Sequence, residues 1–352
     1  MRHDTQLGQI CGSEQLFHSR YKVLRVLGRG GFGVTFLAKD VTLPGQPLCV
    51  IKQLCPKTEN SISLYRAKGR FEREAKILSQ LGSHAQIPML LNYFDAEGEF
   101  YLVQEYIRGD NLAKEVRRSG RQSEAQVRQF LKEILPILQY IHDNNVIHRD
   151  VKPPNIIRCK DDNRLVLIDF GAVKEKLALA GESTQRASTT HFVGTVGFAP
   201  PEQLTLRAVY SSDIYALGVT CLYLLTGKPP LEFDYDPRSG EICWQDYVRI
   251  SHNFAQILNK MLKTSHRDRY KRIEEIQRAL DLEPHIEVLA TCMNTLPHPS
   301  TASSDDLINS ASYNSPTQRT AARIRELRSR IKRRHERKEN KFVSGLIAST
   351  AF

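Results

Sequence analysis

The apolar pattern of this chain changes period part-way along, and that change limits what it can fold into. Tyr21 to Leu27 alternates, then Val34 to Lys39 resumes the alternation after a glycine cluster, which reads as a hairpin. Leu48 to Leu54 and Phe100 to Glu105 are further strand candidates. Arg70 to Leu81 is the helix of this first part, with Phe71, Ala75, Leu78 and Leu81 on one face. Further on, the spacing is helical. Ser123 and Gln126 make a capping box, followed by Val127, Leu131, Ile134, Leu138 and Ile141. Pro136 inside this run predicts a kink or a break. Ser211 to Thr226 is apolar nearly all round and ends at Gly227, the pattern of a helix buried in a core. The expected fold class is α+β and bilobal: a strand-rich N-lobe with one main helix, a helical C-lobe, and a cleft between them.

Length and composition agree with a globular chain. At 352 residues, about 150 residues per domain gives about two domains. Hydrophobic residues make 41% and charged residues 25%, which excludes collagen-like, wholly disordered and coiled-coil classes. No apolar run reaches the roughly 18 residues of a spanning helix. The opening MRHDTQLGQI has no apolar core behind its charge and is not read as a secretory signal. The seven cysteines are scattered, with no Cys-x-x-Cys pair, so reduced thiols in a cytoplasmic protein are expected and no zinc site is assigned. Fifty Lys and Arg against 39 Asp and Glu give a net charge of +11. Eleven of those bases lie between Arg319 and Lys341 against three Glu, so that segment alone carries +8. The basic character therefore belongs to a tail segment.

The motifs carry the chemistry. Gly28-Arg29-Gly30-Gly31-Phe32-Gly33 reads G-x-G-x-x-G, and the strand-like Val34-Thr35-Phe36-Leu37-Ala38 follows it. Glycines between two strands differ from the strand-to-helix dinucleotide fingerprint, and the G-x-x-x-x-G-K-[ST] loop is absent. Lys52 sits in the apolar strand Cys49-Val50-Ile51-Lys52. Glu74 lies on the apolar face of its helix, where a carboxylate is costly unless paired. Lys52 is its natural partner. His148-Arg149-Asp150-Val151-Lys152-Pro153-Pro154-Asn155 matches H-R-D-x-K-x-x-N, and Asp169-Phe170-Gly171 follows 14 residues later, after an apolar strand.

In these motifs, their order and their spacing, the sequence resembles the eukaryotic-like Ser/Thr protein kinases, including their bacterial members. The resemblance implies a kinase domain over residues 20–281, with an N-lobe about 20–105 and a C-lobe about 108–281. It implies ATP and Mg²⁺ as cofactors and protein hydroxyls as acceptors. Asp150 would accept or orient the acceptor's proton, and Lys152 would neutralise the γ-phosphate. Asn155 and Asp169 would hold Mg²⁺, which prefers hard oxygen ligands. Lys52, held by Glu74, would meet the α- and β-phosphates. The glycine flap from Leu27 through Gly28, Arg29, Gly30, Gly31, Phe32, Gly33, Val34 and Thr35 would cover the nucleotide. Leu27, Thr35, Val50 and Ile157 would wall the adenine, the backbone of Glu105 and Ile107 would bind its edge, and Gln104 would be the gatekeeper.

The resemblance extends further along the chain. Asp169 to Glu202 would be the activation segment, with Ser183, Thr184, Ser188, Thr189 and Thr190 inside it; Thr189 or Thr190 is the favoured phosphosite. Thr195 would hydrogen-bond Asp150 and Lys152. Glu202 should pair with Arg269, and Asp213 would anchor the loop at 148–150 or cap its own helix. Some positions depart from the family pattern: Pro200-Pro201-Glu202 stands for Ala-Pro-Glu, Ser265-His266 for Asp-Pro, and Thr35 for the usual Val. None removes a catalytic group. Autophosphorylation and a signalling role are expected. A catalytically silent scaffold of the same fold is the alternative, and the joint presence of Lys52, Glu74, Asp150, Asn155 and Asp169 argues against it. A small-molecule kinase is a third reading, disfavoured by the Thr195 turn and the Glu202–Arg269 pair.

Outside the kinase-like region, residues 1–19 read as a short polar lead. Residues 282–320 read as a flexible Ser/Thr/Pro-rich linker. Residues 321–341 form a basic, helix-compatible segment with Ile324, Leu327 and Ile331 at helical spacing, and residues 342–352 an apolar end. The basic segment has three readings: a solvated helix, a peripheral contact with anionic membrane lipid, or nucleic-acid binding. The last lacks stacking aromatics, and no specific nucleic-acid binding is expected.

Overall fold

The computed structural model describes residues 6–29, 33–54, 61–82, 84–96, 99–172, 174–175, 195 and 197–282. Gly30, Gly31, Phe32, the candidate phosphosites from Ser183 to Thr190, and the linker and tail from residue 283 lie outside the described residues.

The first lobe is built from α1 (Gln6–Ile10), β1 (Leu16–Phe17), β2 (Tyr21–Arg29), β3 (Gly33–Asp40), β4 (Leu48–Leu54), α2 (Ser61–Leu81), β5 (Leu90–Ala96) and β6 (Glu99–Glu105). Its six strands form one antiparallel sheet in the order β1-β2-β3-β4-β6-β5. Strand alternation sorts its side chains onto two faces. Val34, Phe36 and Ala38 join Val23, Cys49, Ile51, Tyr101 and Val103 in an outer cluster, so Thr35, Val50 and Lys52 take the opposite face. A Cβ on Gly33 would lie 2.0 Å from the Gln53 carbonyl oxygen. Only glycine lets β3 approach β4 there.

Three features depart from the sequence reading. The lead read as polar is part of the fold from Gln6. Leu7 is fully buried and Phe17 nearly so, both in the outer cluster, and the Gly12 N–H donates to the Val23 carbonyl at 2.9 Å. Helix α2 begins at Ser61 rather than near Arg70. β5 was not expected; its burial pattern mixes half-buried and exposed positions and carries no clean alternation.

The second lobe follows with β7 (Gly109–Asn111), α3 (Leu112–Ser119), α4 (Glu124–Asp143), β8 (Val146–Ile147), β9 (Ile156–Cys159), β10 (Leu165–Leu167), β11 (Lys174–Glu175), α5 (Pro201–Leu204), α6 (Tyr210–Thr226), β12 (Asp234–Tyr235), β13 (Ile242–Cys243), α7 (His252–Met261) and α8 (Ile273–Leu282). The capping box at α4 is formed: the Ser123 N–H donates to Gln126 Oε1 at 2.8 Å and the Gln126 N–H to Ser123 Oγ at 3.4 Å. Pro136 does not break α4. Pro136 and Lys132 both lie on the exposed face, so the Lys132 carbonyl that loses its helical partner faces water rather than the core. Helix α6 is buried along nearly its whole length. It shares one core cluster with Leu131, Ile134 and Leu138 of α4, Leu258 of α7, Ile276 of α8, and Phe71, Leu78 and Leu81 of α2. Burying each such Leu or Ile contributes about 2 kcal/mol. Strands β10, β9 and β7 form a small sheet in that order, and the segments flanking β9 and β10 carry residues 150–155 and 169.

Candidate active site

Lys52 leaves the inner face of β4 and meets two carboxylates from distant parts of the chain. Its Nζ lies 2.6 Å from Glu74 Oε1 of α2 and 3.2 Å from Asp169 Oδ1, just beyond β10. Glu74 is buried at 5% exposure. Burial works against the Lys52 charge, but Asp169 and Glu74 outweigh it, so the ammonium holds its proton above its ordinary range. Burial pushes the Glu74 carboxyl up, and Lys52 recovers only part of that shift. The Lys52 charge draws the Asp169 carboxyl below its usual range against burial. The Asp169 side chain nevertheless keeps 45% of its surface accessible. A fixed positive charge thus sits beside an ionised, reachable carboxylate.

The loop at 148–155 supplies the other groups. Asp150 Oδ2 lies 2.7 Å from Lys152 Nζ. The Thr195 hydroxyl donates to Asp150 Oδ1 at 2.9 Å and accepts from Lys152 Nζ at 2.6 Å. Asn155 Nδ2 donates to the Asp150 carbonyl and to Asp150 Oδ2, both at 2.9 Å. Those bonds fix the amide and leave its oxygen as an acceptor. Arg149 and Asp169 both adopt a φ of +68°, a region residues with side chains seldom occupy and one that clusters at functional sites. Asp213 stabilises the first of these turns. Its carboxylate accepts from the N–H of His148 at 2.9 Å and of Arg149 at 2.7 Å, and lies 2.9 Å from His142 Nε2. Burial alone would raise the Asp213 carboxyl; His142 and the backbone donors bring it below its usual range.

The remaining candidates divide. Thr35 is opposite Lys52 and Val50 opposite Gln104 in the sheet register, as a cleft wall requires. Ile157 packs against the buried Ile107, Cys159 and Val166. The Glu105 N–H donates to the Met89 carbonyl at 2.9 Å. Leu27 is 36% exposed at the flap, where Gly28 pairs with Thr35 and Arg29 with Val34. Val34 is a correction: its side chain is buried in the outer cluster, one position out of phase with the cleft. It can contribute only backbone.

Residues 21–281 match the family model described as the protein kinase domain. The chain belongs to the protein kinase family. Over 298 residues, 84% of the chain and 52% of the relative, it is 50% identical to serine/threonine-protein kinase B of Synechocystis sp.. It is 44% identical over 271 residues to serine/threonine-protein kinase PknA of Nostoc sp., covering 76% of the chain and 48% of the relative. The Bacillus subtilis kinase PrkC is 33% identical over 214 residues, 60% of the chain and 31% of the relative. The chain spans about half the length of the first two relatives.

The kinase domain also contains supports that sequence reasoning missed. Gln203, 1% exposed, donates through Nε2 to the Arg149 carbonyl at 2.6 Å. His142 reaches Asp213 from the last turn of α4. A lone Gln and a lone His have no local pattern that marks them; only the fold brings them to the loop. The expected Glu202–Arg269 pair is present with N–O distances of 2.6 and 3.0 Å, and Arg269 also donates to the carbonyls of Lys263, Thr264 and Ser211.

Proposed function

We propose that this chain is a Ser/Thr protein kinase that transfers the γ-phosphoryl group of ATP to protein hydroxyls. The observation carrying this reading is Lys52 held at once by Glu74 and Asp169, residues 22 and 117 positions away. A silent scaffold has no need to keep a buried ion pair and an accessible carboxylate on one ammonium. The donor chemistry fits the cofactor: carboxylate and amide oxygens are the hard ligands Mg²⁺ takes, alongside phosphate. Asn155 and Asp169 would hold the metal, and Lys52 would meet phosphate oxygens. Leu27, Thr35, Val50 and Ile157 would enclose the base, with backbone groups at Glu105 and Ile107 along its edge. Mg·ATP supplies the phosphoryl group and a metal that offsets its charge.

The chain's own residues do the rest. Asp150 orients the acceptor hydroxyl and takes its proton as the new bond forms. Lys152 offsets negative charge at the transferred group. Thr195 holds both of them, so the pair is aligned before an acceptor arrives. Protein substrates are the acceptors this reading implies, and Thr189 or Thr190 the autophosphorylation sites. Peripheral contact with anionic lipid through residues 321–341 rests on their charge alone; among the described residues no helix is long and apolar enough to cross a membrane.

The test is Asp150→Asn in the full chain with labelled Mg·ATP. Transfer to a generic protein substrate should fall by about 10²–10⁴-fold, with the variant still folding cooperatively. Undiminished transfer rejects the assignment. Mass spectrometry of the wild-type reaction places the modified residues.

A further inference from the structure

Leu231 is the most exposed large apolar side chain among the described residues, at 67%. A single exposed Leu means little by itself; its position gives it meaning. It lies in the 3-10 turn Pro230–Glu232, after α6. Gly197, with φ of +89°, rests against this turn: a Cβ there would lie 2.9 Å from Pro230 Cβ and 3.4 Å from Leu231 Cδ2. Only two residues earlier, the Thr195 hydroxyl is bonded to Asp150 and Lys152. The Thr195 carbonyl accepts from the N–H groups of Phe198 and Ala199 at 3.1 and 3.2 Å, which keeps this turn tight. Two residues span at most about 7 Å, so the turn carrying Leu231 lies close to Thr195 and its partner Asp150.

The turn is also anchored. Phe233 is 4% exposed and meets the Tyr247 ring edge-on at 5.3 Å between centroids. The Tyr235 hydroxyl donates to the Pro230 carbonyl at 3.5 Å, and Tyr235 itself remains 43% exposed. Leu231 and Tyr235 therefore display apolar surface on a fixed support beside the phosphoryl-acceptor position.

We propose that Leu231 selects substrates with a large aliphatic or aromatic side chain within two residues of the phosphorylated Ser or Thr, an inference that rests on the kinase reading above. Such a side chain covers Leu231 while its neighbour presents the hydroxyl to Asp150. The test uses the full chain, wild type and Leu231→Glu. Peptides carry one Ser or Thr with each of the two positions on either side varied in turn, and kcat/KM is read for each. Wild type should favour Leu, Ile, Met or Phe at one of those four positions by about tenfold over Asp or Lys. Leu231→Glu should lose that preference and favour Lys or Arg at the same position. An active wild type with no apolar preference overturns the proposal, as does a variant with an unaltered profile. A wild type that transfers phosphate to no peptide or protein overturns the kinase reading itself.

Discussion

Glu202 and Arg269 show how strongly one buried pair ties the kinase fold to pH. Arg269 is 1% exposed, and its guanidinium stands 4.8 Å from the Tyr215 ring centre. Burial pushes the Glu202 carboxyl up, but the Arg269 hydrogen bonds and charge, helped by Ser212, bring it below its usual range. A carboxyl lowered on folding stabilises the folded state above its unfolded pKa of about 4.3, and that contribution is lost as pH falls through the lower folded value. Glu202→Gln leaves Arg269 buried with carbonyl partners only. The variant should be less stable by about 3 kcal/mol at pH 7. Its stability should also fall less steeply below about pH 4.3 than that of the wild type. Urea unfolding from pH 7 down to 3 measures both, and parallel curves for the two proteins would remove Glu202 from the acid response.

Elements were legible where local pattern and tertiary role coincide. The capping box of α4, the all-round apolar α6 and the paired strands β2 and β3 each declare themselves within a few residues. The same holds for the site: Asp150, Lys152, Asn155 and Asp169 lie in short contiguous motifs, and Glu74 betrayed itself as a charge on an apolar face. What escaped lacks that local signature. Gln203 and His142 act only through a loop brought to them by folding, and β5 shows no alternation to read. The opening segment hides three anchors, Leu7, Ile10 and Phe17, among polar neighbours, so its composition looked like a solvated lead. These anchors cover the outer face of the sheet whose inner face carries Lys52. Leu7→Ala should therefore cost about 2–4 kcal/mol, read as a lowered urea midpoint with an unchanged slope. A midpoint within experimental error of the wild type would show that α1 adds nothing to the lobe.

At the scale of the whole domain, the cluster joining α2 to α4, α6 and α8 and the Lys52–Asp169 contact connect the strand-rich part to the helical part. A ligand seated on Lys52, Asn155 and Asp169 then stabilises both parts together, because it binds the folded chain and not the unfolded one. At about 100 times its Kd, such a ligand adds about 2.7 kcal/mol, which for a domain of this size raises Tm by about 5–10 °C. Mg·ATP should produce that rise in the wild type, and EDTA should remove much of it, since ATP alone brings its phosphate charge next to Asp169 without the metal. Asp169→Asn separates the two contributions. The amide keeps the size of the side chain but gives up the charge that attracts the metal, so the shift with ATP should become nearly independent of Mg²⁺. Lys52, relieved of one carboxylate, still meets the phosphates and should preserve part of the ATP effect. If Asp169→Asn shows the same Mg²⁺-dependent rise in Tm as the wild type, the metal is held elsewhere and the role given to Asp169 falls.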